Sequence, residues 1–176
     1  PSTPGFNEFT PLMERSKPQL VTSGVVGNNG TLGNEMVFSK FNERTSISLG
    51  QFHYETNGFR TNNDQNHDVL NAFVQHAVTA KLNVQAEIRN RSTNNGYLLL
   101  DFDRNSTDPQ STQNKDRRKI DEDSMRVGAR YNLTSSQNII VSGQYFDKNY
   151  QDFVGKINRT ISEKNEGYQT EIQYQF

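Results

Sequence analysis

Few residues in this chain have the types and spacing that chemistry needs. The closest approach to a ligand set is residues 101–108, where Asp101, Asp103 and Asn105 place oxygens at alternate positions, as a calcium loop begins. Such a loop turns on a glycine at its sixth position and closes with a bidentate glutamate at its twelfth. Ser106 and Thr112 stand there instead, so the segment reads as a solvated acidic loop and no metal site is expected. His53, His67 and His76 show no metal-ligand spacing, and the absence of cysteine removes thiolate ligands, disulfides and cysteine nucleophiles. The basic run Lys115, Arg117, Arg118, Lys119 suits lipopolysaccharide phosphates. It is interleaved with Asp116 and followed by Asp121, Glu122 and Asp123, which favours local self-pairing. No catalytic residue, enzyme activity or cofactor is expected.

What remains is a set of charged residues with a period of two. Glu87, Arg126 and Arg130 lie between apolar neighbours, and Arg89 and Glu171 each adjoin an isoleucine, so strand geometry places all five on the face opposite those neighbours. The clearest stretches are residues 82–89, 125–133 and 168–176, each apolar on one parity and polar on the other. Leu70, Ala72, Val74 and Val78 share a parity that also includes His76. Residues 19–26, 35–41, 45–54 and 138–146 complete a set of eight strands, on β-branched content and flanking turn residues. The apolar parity switches between Leu49 and Phe52 beside Gly50, where a bulge is expected.

Prolines occur at positions 1, 4, 11, 18 and 109 only. Proline is excluded from the interior of paired strands, so residues 1–18 read as a lead-in or linker and residues 19–176 as strands. Long loops are expected at 55–66, 92–122 and 147–166, and a medium one at 27–34. Tight turns are expected at 42–44, 80–81 and 134–137. This long-short alternation is that of an up-and-down meander whose two ends face different surroundings.

Composition agrees with one greasy face. Of 176 residues 31 % are hydrophobic, while 21 Asn and 13 Gln outnumber either charge sign. The net charge of −1 gives no surplus directed at nucleic acid. No apolar run reaches the length of a membrane helix. The expected fold is therefore all-β: an antiparallel up-and-down transmembrane β-barrel of about eight strands, whole or part of a larger one. Lipid would meet the apolar face, while Glu87, Arg89, Arg126, Arg130 and Glu171 would face the lumen, tuning ion selectivity or filling the interior as a ladder of pairs. Phe52, Tyr54, Tyr131, Tyr145, Tyr168, Tyr174 and Phe176, near strand ends, are expected in the interfacial girdles. The alternative is a soluble barrel or sandwich that holds a small apolar ligand inside.

Two likenesses bear on this. Tyr168, Ile172, Tyr174 and Phe176 resemble the C-terminal recognition strand by which bacterial outer-membrane proteins engage their insertion machinery. Gly-Phe-Asn-Glu-Phe-Thr-Pro-Leu at 5–12, Ser-Leu-Gly-Gln-Phe-His-Tyr-Glu-Thr-Asn-Gly-Phe-Arg at 48–60, and residues 71–75 and 127–131 resemble segments of large outer-membrane barrel proteins in which a tetratricopeptide-repeat region often precedes the barrel. The resemblance implies an outer-membrane location and a role as anchor or as pore or export channel. It implies contact with lipid and lipopolysaccharide, and further barrel strands or subunits as partners. It also implies that the barrel continues past residues 167–176. The start at Pro1 suggests a mature or trimmed product.

Overall fold

The computed structural model describes residues 17–97, 115–155 and 157–176. Asp101, Asp103 and Asn105, and all but the end of the lead-in, lie outside them. The described residues form one eight-stranded antiparallel sheet in sequence order and no helix. The strands are β1 (Gln19–Gly27), β2 (Thr31–Asn42), β3 (Thr45–Thr56), β4 (Gln65–Ala77), β5 (Leu82–Gly96), β6 (Arg117–Asn132), β7 (Asn138–Val154) and β8 (Arg159–Gln175). Each pairs only with its sequence neighbours, which leaves β1 and β8 as the two edges among the described residues.

The register explains why the chain alternates. One row crosses every strand, from Leu20 through Phe38, Leu49, Ala72, Ile88, Met125 and Tyr145 to Tyr168, and every member is apolar or aromatic. Further apolar rows lie toward the short turns, among them Ile47, Val74, Ala86 and Val127. On β7 and β8 the band is bounded by aromatics at two levels. Tyr145 stacks on Tyr168 with ring centroids 4.9 Å apart, and Tyr174 lies beyond Ile172 toward the other end. Six residue steps at about 3.4 Å put Tyr168 and Tyr174 roughly 20 Å apart along the strand. The opposite face carries Gln85, Glu87, Arg89, Ser124, Arg126, Ser142 and Gln144.

Among the described residues all five buried side chains, Ser46, Phe73, Gln85, Ile140 and Ser142, lie on this polar face, and Ser142 is only 3 % exposed. The apolar face is open: Ile88 is 58 % exposed and Met125 51 %. Against the usual order, the covered face is the polar one.

Several expectations need correction. No bulge forms at Gly50, because the β2–β3 and β3–β4 registers run straight through it. Its missing Cβ leaves the space that the Asn71 carboxamide fills. The parity switch instead puts Phe52 and Tyr54 on the polar face, away from the aromatics that bound the apolar band. The expected loop at 147–166 is strand over most of its length, with a turn only between Val154 and Arg159. Those at 55–66 and 92–122 likewise shrink to the residues between Thr56 and Gln65 and between Gly96 and Arg117. There the strands are polar on both faces and carry no apolar period to read. The expected loop at 27–34 is a tight turn. Asn29 and Gly30 both adopt positive φ (57° and 64°), and the Thr31 N–H donates to the Asn28 carbonyl at 3.1 Å. This is the backbone pattern that lets two residues join twisted strands.

Candidate functional site

Each charged residue of the polar face owes its place to strand parity, and the register decides whom it meets. Glu87 lies opposite Arg126, and Arg89 follows two residues along β5. The Glu87 carboxylate takes a charge-assisted bond from Arg126 and a second contact from Arg89 Nη2 at 3.4 Å. Glu87 and Arg126 side chains are each only 11 % exposed, the most enclosed ion pair among the described residues. Two rows on, Glu122 takes Arg91 at 2.6 Å and Lys148 at 3.5 Å. Arg118 binds Asp152 through both Nε and Nη2, at 2.8 and 2.9 Å, and its guanidinium lies 5.0 Å from the Tyr97 ring centroid.

The five charged residues singled out from sequence thus share one face, and three of them meet as Arg89, Glu87 and Arg126. Glu171 accepts a hydrogen bond from Gln173 at 2.8 Å, and Arg130 donates from Nε to Asn132 at 3.2 Å. Arg91, Arg118, Glu122, Lys148 and Asp152 were missed, because their partners are fixed only by register. The signal available was parity: Arg91 continues the spacing of Glu87 and Arg89, and Glu122 that of Arg126 and Arg130. Five buried polar atoms on the same face have no hydrogen-bond partner among the described residues: Gln85 Oε1, Arg89 Nε, Arg91 Nε, Asn138 Oδ1 and Ser142 Oγ.

Beyond the apolar band, toward the longer connections, the other face also turns polar. Asn90 donates to Asp123 at 2.8 Å, Ser92 to Asp121 at 2.7 Å, and His53 Nδ1 lies 2.6 Å from Asp68. The connections there are tied to the strand ends. Arg117 reaches Asp64 through both terminal nitrogens, at 3.1 and 2.6 Å, and Asn62 donates to the carbonyls of Asp116 and Tyr97. The Gly155 N–H donates to the Asp116 carboxylate at 2.7 Å. The Arg117 guanidinium holds Asp64 below the usual carboxylate value, and Arg118 does the same to Asp152. His76 sits on the apolar face one residue from the end of β4, where its Nδ1 meets Thr45 Oγ1 at 2.8 Å.

Tyr168, Ile172 and Tyr174 lie on the exposed apolar face of β8, an edge strand, and Phe176 follows its last residue. The apolar face also carries a groove of about 820 Å³ between the Leu20–Tyr168 row and the next, lined by Phe38, Leu70, Ile88 and Met125. No group of three or more potential metal-ligating side chains gathers among the described residues. No protein-family model and no curated protein matches the chain.

Proposed function

We propose that this sheet is wall of an outer-membrane β-barrel, non-enzymatic, serving as a membrane anchor or as a component of a pore or export channel. The observation that carries the reading is the inversion of its faces: the apolar residues are exposed while the ion pairs and amides are covered. Lipid in place of water makes that arrangement favourable, since an apolar outward band and a polar interior are what a barrel in a bilayer needs. A wetted interior also satisfies polar atoms such as Gln85 Oε1 and Ser142 Oγ, which a dry core would leave at a cost.

The stagger of the short turns supports the same reading. Followed across the register, the ends of the β2–β3, β4–β5 and β6–β7 hairpins fall at the levels of Ile172, Gln173 and Gln175 of β8. Three residues are about 10 Å of stagger over four strand spacings of roughly 19 Å, a slope of about 28°. Turns lying in one plane at a membrane surface require strands inclined in this sense, and closed barrels tilt theirs by roughly 35–45°. In this role the chain's partners are outer-membrane lipid and lipopolysaccharide, the barrel-insertion machinery, and further strands or subunits that cover the edges of β1 and β8. The phrase-level resemblance to the barrel region of tetratricopeptide-repeat-linked outer-membrane proteins points the same way.

Extraction tests it. Expressed with an export signal, the chain should fractionate with outer membranes, need detergent for release, and migrate differently on gels before and after boiling. Recovery in the aqueous phase as a stable monomer would overturn the reading. It would favour a soluble β-protein whose 820 Å³ apolar groove takes a small apolar ligand.

A further inference from the structure

At the short-turn end the polar face is hollowed into a recess of about 280 Å³, with Arg130 of β6, Asn83 of β5 and Gln75 of β4 on its walls. Phe41 of β2 and the turn residues Glu43 and Arg44 complete it. The Ala77 N–H donates to the Arg44 carbonyl at 2.7 Å, which ties the β2–β3 turn to the end of β4.

The recess differs from the rest of the polar face in its charge pairing. Arg89, Arg91, Arg118 and Arg126 each have a carboxylate within salt-bridge distance. Arg44 and Arg130 have none among the described residues, and Arg130 spends only its Nε, on Asn132. Two arginines therefore line one pocket, with Gln75, Asn83 and Phe41 beside them. The single opposing charge is Glu43. Planar guanidinium donors fit the paired oxygens of a carboxylate or phosphate.

We propose that this recess binds a small oxyanion, the carboxylate or phosphate group of an acidic solute. The site depends on the polar face being reached by water, as in the barrel-wall reading, but not on conduction through a pore. Titration calorimetry on the full chain in detergent micelles, with inorganic phosphate or acetate at constant ionic strength, tests it. Saturable binding of either anion is expected, and the comparison of the two identifies which oxyanion is preferred. Arg130→Gln and Arg44→Gln should each weaken it about tenfold or more, the scale of a lost charge-assisted hydrogen bond. Glu43→Gln should tighten it, and Arg60→Gln, outside the recess, should leave it unchanged. Absence of saturable binding, or equal binding by wild type and Arg44→Gln, overturns the proposal. Arg44 lies in an exposed turn, so that variant decides the matter even if Arg130→Gln fails to fold. If the chain needs no detergent, the barrel-wall reading fails, and the same titration in buffer still decides the site.

Discussion

Strand β5 passes through two different environments within fifteen residues. From Leu82 to Ile88 one face is wholly apolar, half-buried at Leu82, Val84 and Ala86 and exposed at Ile88, and the other carries Gln85 and the Glu87–Arg126 pair under cover. From Arg89 to Gly96 both faces are polar, and Asn90, Arg91 and Ser92 each hold an acidic partner on β6. The same backbone ladder runs through both halves. In the proposed barrel wall the lower half depends on a low-dielectric surrounding for its outer face, whereas the upper half is held by cross-strand pairs that work in water. A charge or a lost partner should be costly in the lower half and nearly harmless in the upper.

The largest expected effect is at Glu87. Glu87→Leu leaves Arg126 enclosed without the carboxylate opposite it, and removing one partner of a buried pair typically costs about 3–5 kcal/mol. The double variant Glu87→Leu/Arg126→Leu should recover much of the loss, because replacing a whole buried ion pair by apolar groups of similar bulk is often close to neutral. Asp64→Asn gives the contrast, since its pair with Arg117 is more than a third exposed on both sides. That loss should stay near 0–1 kcal/mol. Urea unfolding in detergent micelles measures all three, and equal losses at Glu87 and Asp64 would abolish the distinction between the halves.

Next comes a charge on the outer face. Val127→Arg places a cation within the apolar band and should cost about 2–4 kcal/mol, as mid-bilayer arginine does on barrel exteriors. Asn149→Arg lies on the same face two rows beyond Tyr145 and should stay within about 0.5 kcal/mol. Reconstitution into vesicles of increasing acyl length sharpens the comparison, because only the Val127 effect should vary with lipid.

How much of this was legible in the sequence follows from the same contrast. Apolar parity marks the lower half, so the strands through 82–89, 125–133 and 168–176 and the sharing of one face by Glu87, Arg89, Arg126, Arg130 and Glu171 could be read directly. In the upper half residues such as Asn90, Ser92, Asp121 and Asp123 alternate polar with polar. No period survives, so the sequence reads the upper parts of β7 and β8, within 147–166, as loop. Pairing is a property of register: nothing local to Glu122 indicates that Arg91 and Lys148 will both reach it. The Gly50 parity switch misled for a related reason: Phe52 and Tyr54 stand on the polar face without any bulge, and Gly33, opposite Tyr54, leaves room for its ring.

Acid separates the halves by a smaller amount. Asp64 and Asp152 lie outside the apolar band, and hydrogen bonds from Arg117 and Arg118 depress both below the ordinary value of 3.8. A carboxylate with a lowered folded-state pKa contributes stability that is complete above its unfolded value. That contribution is lost as pH falls through the folded one. Over a falling pH window that opens near the ordinary value of 3.8, the ties at the far end should therefore loosen. Amide protection at Gly96, whose N–H donates to the Asp64 backbone carbonyl, should fall over that window. Protection at Val84 and Val127, on the band, should fall less. A uniform loss would mean that the two halves open as one unit.

The smallest effect tests whether the upper half is held by any one pair. Lys119 approaches Asp121 at 2.8 Å, with both side chains more than a third exposed to solvent. An exposed pair of this kind gains little over hydration and is screened by salt. Lys119→Ala should therefore shift the urea midpoint by less than the equivalent of about 0.5 kcal/mol, and by less still in high salt. Asp121 also accepts from Ser92 Oγ at 2.7 Å, so its carboxylate keeps a partner when the lysine is gone. A loss of more than about 1 kcal/mol, well above what exposed pairs usually contribute, would show that the surroundings of this pair are less watery than its exposure implies. The apolar environment would then extend two rows past Tyr145, and the boundary between the halves would move with it.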